Sequence, residues 1–187
     1  MEIDNKMNID KITPEMEANF KNYINGHKEK VVLFAQALYD SGHISKRLFD
    51  KISQNHDNSK LEEPEYTPYV KRKWVERNYN VDMYDKMGDD IKAAIVHHVT
   101  KNDHHPEYWS NDYRGFETSD PCHVDDMPED AVIEMVCDWN AMALERGNTA
   151  RSWYDKTRDK RWIFDDHTNW LIDTWLKVFE NGYLRKG

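Results

Sequence analysis

Histidines and carboxylates recur along this chain in an order that can hold a metal. His56 and Asp57 are neighbours. His97-His98 and His104-His105 form two pairs within the run HHVTKNDHH. His27 stands alone upstream of them, and Asp138 alone downstream. Neutral imidazoles and carboxylates together make the ligand set of a divalent transition metal, and an open position on such a metal activates water. Nine histidines in 187 residues is a modest excess, so the argument rests on their order and not on their number. Lys60 follows Asp57 by three residues, where a cation can bind a phosphate oxygen and neutralise developing charge. Glu62 and Glu63 are placed to orient water or protonate a leaving group. The basic run Lys71-Arg72-Lys73 and Arg77 stands out in an acidic chain and can meet further phosphates, Lys73 and Arg77 above all. Tyr108, Trp109 and Tyr113 lie just after HHPE, and aromatic rings there can stack on a nucleobase. His43, His123 and His167 belong to no such pattern.

The elements that would carry these residues read as helices. Pro14 suits a first helical turn, and Glu15 and Glu17 complement its positive end. That helix is expected to run to Asp40, before Ser41-Gly42, with the stripe Phe20, Ile24, His27, Val31, Phe34 and Leu38 in steps of four and three. His27 therefore points inward among apolar neighbours. A second helix, from about Ser45 to Asn55, delivers His56-Asp57 at its end. The segment NSKLEEPEYTPY reads as turns, and KRKWVERNY after it as a helix. A helix from Asp89 to Thr100 places Ile91, Ile95 and His98 on one face, with His97 a step around. The stretch 102–127 lacks a sustained period and contains Pro106, Gly115 and Pro121, the mark of a long and functional loop. A helix opening at Pro128 and stopping at Gly147 aligns Ala131, Met135, Asp138 and Met142. A last helix spans about 166–181, and its Trp170 and Trp175 read as core. No segment shows convincing period-two alternation. The expected fold is all-α: a single-domain helical bundle over 14–187 after a loose segment 1–13, with the metal-site core at about 20–146.

Composition excludes several classes of function. A hydrophobic content of 39% and a charged content of 33% suit one soluble globular domain. No apolar run reaches the roughly 20 residues of a membrane span, and the first 20 residues carry no signal-peptide pattern. Cys122 and Cys137 form no CxxC pair, which fits a reducing, cytoplasmic setting. The net charge of −9 argues against broad contact with nucleic acid, but not against a small anionic substrate.

The order His27, His56-Asp57, His97-His98, His104-His105, Asp138 resembles the HD-domain superfamily of metal-dependent phosphohydrolases over roughly residues 20–146. HDNSK is similar to the HDxGK of many members, with Ser59 in place of Gly. HHPE is similar to the HHE of the two-metal branch that cleaves cyclic dinucleotides, but the Gly-Tyr-Pro that follows there is absent. HHPEYW and EMVCDW also resemble an uncharacterised bacterial and phage HD-like family. The superfamily resemblance implies an all-helical fold and one metal held by His27, His56, Asp57 and Asp138. A second metal would be held by His98, His104 and His105 with Asp57 bridging, and His97 would act as alternate ligand or general acid. Inward-facing His27 and Asp138 agree physically, because a shared metal would satisfy both on their apolar stripes. The implied cofactor is one or two divalent ions (Mn, Fe, Co, Zn or Mg). The implied activity is hydrolysis of a phosphoester in a small phosphorylated substrate, a nucleotide, by a metal-activated hydroxide. Asp57, Lys60, His97 and Glu63 would be the catalytic residues, and Lys60, Lys73, Arg77 and Trp109 would bind the substrate. The same ligand set also suits a di-iron oxygenase of HD type. It equally suits a non-catalytic, metal-stabilised protein that binds a nucleotide or a partner.

Overall fold

The computed structural model describes residues 11–79 and 88–183, so the loose segment expected over 1–13 lies mostly outside the described residues. The fold is all-α. Among the described residues there are seven α-helices: α1 Pro14–Asp40, α2 Lys46–Asn55, α3 Tyr66–Tyr79, α4 Asp89–Lys101, α5 Glu129–Arg146, α6 Ala150–Thr157 and α7 Asp166–Val178. A π-helical turn, Phe179–Tyr183, follows α7. None of these helices is long and apolar enough to cross a membrane. The described residues group into two compact units, each built from separated stretches of chain. One takes the residues up to Gly26 together with Asp57–His98, and the other takes His27–His56 and the residues from Val99 onward.

The helix boundaries follow local chemistry. Ser45 caps α2 by accepting from the Leu48 amide, as its position before the apolar run predicts. Gly147 ends α5 in the left-handed region at φ 69°, where a residue without Cβ carries no steric penalty. The α1 stripe is buried throughout: Phe20, Ile24, His27, Val31, Phe34 and Leu38 are each at most 5% exposed.

In the first unit, Phe20 stacks on Tyr69 with ring centroids 6.5 Å apart and meets the edge of Tyr66 at 5.8 Å. Met16, Ile24, Val70, Val75, Ile91 and Ala94 are buried there as well. In the second unit, α5 is the central helix. Ala131, Val132, Ile133, Met135, Val136 and Cys137 are all buried, as are Leu171, Ile172, Trp175 and Leu176 of α7. Burying each large aliphatic side chain contributes roughly 1.5–3 kcal/mol. Trp139 of α5 stacks with Tyr154 and with Trp162, with centroids 6.0 and 5.9 Å away.

Three expectations need correction. The region read as turns over 58–69 is a 3-10 turn, Asn58–Leu61, followed by α3 from Tyr66. Pro68 fits inside α3 because first-turn amides have no intrahelical acceptor to lose. The loop 102–127 contains a 3-10 turn, Pro106–Trp109, and a short strand β1, Cys122–Val124. β1 pairs in parallel with β2, Trp162–Phe164, in the register Cys122 to Trp162, His123 to Ile163 and Val124 to Phe164. Three-residue strands are too short for a period to be seen in sequence. Last, Trp170 is 60% exposed and stacks on His167 at 5.9 Å, while Trp175 alone of the pair is core.

Candidate metal site

The second unit gathers five of the sequence-predicted ligands. α1 presents His27, and α2 ends at His56, whose amide caps the helix on the Ile52 carbonyl. His104 and His105 stand between α4 and the turn at Pro106, and α5 presents Asp138. His27 Nε2 lies 3.0 Å from Asp138 Oδ1. The His27 and His56 rings are 5.6 Å apart, those of His56 and His104 4.5 Å, and those of His104 and His105 4.4 Å. His27, His56 and Asp138 each offer a ligand atom within 4.8 Å of the others, and so do His56, His104 and Glu134. The three histidines in these groups are at most 3% exposed. Imidazoles and carboxylates converging in a buried place form a donor set that suits a divalent transition metal.

Two glutamates that the sequence reading left out complete this cluster. Glu134, 3% exposed, accepts at one oxygen from both His56 Nδ1 (3.1 Å) and His104 Nδ1 (3.3 Å). Its other oxygen is 3.3 Å from the Lys51 ammonium, which also reaches Asp103 at 2.8 Å. Glu145 accepts from His27 Nδ1 and from Lys30, both at 3.2 Å. Burial alone would push the Glu134 carboxyl up. Hydrogen bonds and charge from His104 and His56 outweigh burial and hold it far below the usual carboxylate range. Glu145 is lowered against its own burial by His27 and then Lys30. Glu134, Asp138 and Glu145 are spaced by four and seven residues, so one face of α5 carries all three carboxylates. The spacing was available in sequence, but an isolated glutamate on a helix reads as solvated until its neighbours are known.

The first unit holds Asp57, Lys60, His97 and His98. Asp57 is 1% exposed and left-handed at φ 57°. It receives Lys60 Nζ at 2.6 Å on one oxygen and faces His98 Nε2 at 3.2 Å on the other. A third overlooked glutamate, Glu65, is fully buried. It accepts from His97 Nδ1 and His98 Nδ1, each at 2.8 Å, and from the Ser59 hydroxyl at 3.0 Å. The Glu65 carboxyl is held low by His98, His97 and Ser59, against burial that would raise it. Lys60 also lies 5.5 Å from the centre of the Tyr69 ring. Burial would lower its pKa, but the Asp57 charge overrides this and keeps it protonated. Burial pushes the Tyr69 phenol up to about 12.

The remaining predicted residues sit as follows. Glu63 is exposed and accepts from the Thr67 hydroxyl. Lys73 pairs with Glu76 at 2.8 Å and covers the Tyr23 ring at 3.8 Å. Arg77 is exposed. Trp109 is half-buried and donates its indole N–H to the Asp103 carbonyl at 2.7 Å, so its ring is held against the core.

No curated protein and no solved structure matches this chain. Residues 16–178, which include every one of these histidines and carboxylates, match a family of unknown function, DUF5662, and the chain belongs to that family.

Proposed function

We propose that this protein is a metal-dependent phosphohydrolase of HD type that hydrolyses a phosphoester of a small phosphorylated substrate, a nucleotide. The observation that carries the reading is the convergence of buried His27 and His56 with partly buried Asp138, whose ligand atoms lie within 4.8 Å of one another. Buried imidazole and carboxylate groups fit a divalent cation in charge and in ligand type. These three residues would hold the ion, with His104 beside them. A divalent ion so held supplies Lewis acidity and an activated water.

By the sequence resemblance, Lys60 and His97 of the first unit supply the rest of the chemistry. Lys60 stays protonated beside Asp57 and is the cation for a phosphate oxygen. His97 is the half-exposed member of its pair, with a side chain 40% exposed. Its Nδ1 lies 2.8 Å from Glu65 Oε1, and in this reading the ring so oriented is the general acid for the leaving oxygen.

The test is elemental analysis of the purified protein joined to phosphate release from a panel of nucleotides, with Mn²⁺, Co²⁺, Fe²⁺, Mg²⁺ or Zn²⁺ added. The expected result is one or two equivalents of metal with release from some nucleotides, and loss of both in His56→Ala with helix content retained. Full metal occupancy in His56→Ala would overturn the ligand assignment. Bound metal without release from any nucleotide would overturn the hydrolase, and oxygen uptake by an iron-loaded protein would replace it with an oxygenase.

A further inference from the structure

Carboxylates stand behind His27, His56, His98 and His104, on the Nδ1 side of each ring. His27 shows the arrangement most fully because both of its nitrogens are accounted for. Nε2 faces Asp138 at 3.0 Å, and Nδ1 faces Glu145 at 3.2 Å. His98, in the other unit, repeats it with Nε2 on Asp57 at 3.2 Å and Nδ1 on Glu65 at 2.8 Å. His56 and His104 share one such partner: both turn Nδ1 toward the same oxygen of Glu134, at 3.1 and 3.3 Å.

We infer that Glu134 is a positioning residue that fixes His56 and His104 together as Nδ1–H tautomers, with Nε2 of each ring as the ligating nitrogen. This rests on the metal-centre reading above and assigns a role that the three-ligand set does not contain. A carboxylate can receive an N–H only from a ring nitrogen that carries a proton, so the lone pair moves to the opposite nitrogen. An anionic acceptor also raises the basicity of that lone pair. Glu134 is itself held from behind. Lys51 lies 3.3 Å from its second oxygen and is anchored by both oxygens of Asp103, at 3.1 and 2.8 Å. Oε1 is thus presented to the two rings by a carboxylate that cannot turn away without losing the ammonium. Two histidines from distant parts of the chain are oriented by a single side chain on α5. The competing arrangement makes Glu134 a direct ligand alongside Nδ1 of both rings, which requires the opposite tautomer.

The experiment reads tautomers and metal affinity separately. Long-range ¹H–¹⁵N spectra of the metal-free protein, recorded at mildly alkaline pH and assigned with single His→Gln variants, are expected to show His56 and His104 as Nδ1–H. In Glu134→Ala both should revert to the Nε2–H form that free histidine prefers. Wild-type rings already in the Nε2–H form would overturn the proposal. In a Co²⁺ titration, Glu134→Ala should bind roughly 10–100-fold more weakly, and Glu134→Gln, which keeps the acceptor oxygen, should recover most of the loss. Unchanged affinity in Glu134→Ala with circular dichroism preserved would also overturn it. If the wild type binds no cobalt, the metal reading fails by itself, and the tautomers still decide what Glu134 does.

Discussion

Asp57 shows how much one residue can be asked to do. It takes a left-handed backbone conformation at φ 57°, is 1% exposed, and binds Lys60 at 2.6 Å. Asparagine tolerates that backbone region at least as well as aspartate, so Asp57→Asn removes the charge and leaves the conformation. Lys60, with a side chain 18% exposed, would then keep its positive charge without its carboxylate. Breaking a buried pair on one side is costly, and we expect a loss of about 3 kcal/mol. Replacing both partners, as in Asp57→Asn with Lys60→Met, should restore a large part of it, because no buried charge is left uncompensated. Urea unfolding in chelator, run as a double-mutant cycle, measures the coupling. A loss below about 0.5 kcal/mol for Asp57→Asn, the range of a solvated pair, would show that solvent already screens the two charges.

At the scale of elements, α7 begins at a cap that ties its own first turn to the backbone at Asp126. Asp165 accepts from the His167 and Thr168 amides at 2.8 and 2.9 Å, from the Thr168 hydroxyl, and from the Asp126 amide at 3.1 Å. Burial would raise this carboxyl. The Thr168 hydroxyl and the three amides outweigh it and lower its pKa from 3.8. A carboxyl lowered in the folded state adds stability that is fully present above the unfolded pKa and disappears as pH falls through the folded one. Stability from Asp165 should therefore be lost below about pH 3.8. Asp165→Asn keeps the cap but does not titrate, so its melting temperature should depend less on pH between 5 and 2 than that of the wild type. Parallel curves would exclude Asp165 as the source. The helices themselves were legible in sequence wherever two signals agreed. The buried stripe of α1 coincided with Pro14 and with the Ser41-Gly42 stop, and α5 lay between Pro128 and Gly147. α6 went unread because it spans only eight residues, Ala150–Thr157, and its signal is a capping box of Thr149 and Ser152 in place of an apolar period.

For the whole molecule, the candidate ligands were legible in sequence and the carboxylates that orient them were not. Histidine order marks a candidate site because paired imidazoles in succession with aspartates are the ligand types of a divalent metal. Glu134 and Glu145 on α5, and Glu65 in the turn before α3, are ordinary glutamates until tertiary packing sets them against histidine, and that packing joins residues as distant as His27 and Glu145. The same distances define the last prediction. A metal held by His27, His56 and Asp138 would bridge α1, the end of α2 and α5 within the second unit, which the unfolded chain cannot reproduce. An ion that binds only the native state stabilises it by about 2.7 kcal/mol at a free concentration 100 times its dissociation constant. For a chain of this size that corresponds to roughly 5–10 °C in melting temperature. Thermal unfolding of the metal-free protein should therefore shift upward with added ion, and the shift should grow with the logarithm of ion concentration above the dissociation constant. His27→Ala should lose the shift, whatever its metal-free melting temperature. A wild-type melting temperature that is the same in chelator and in saturating Mn²⁺, Co²⁺, Fe²⁺, Mg²⁺ or Zn²⁺ would leave the buried histidines and carboxylates as a polar network that holds the second unit together without an ion.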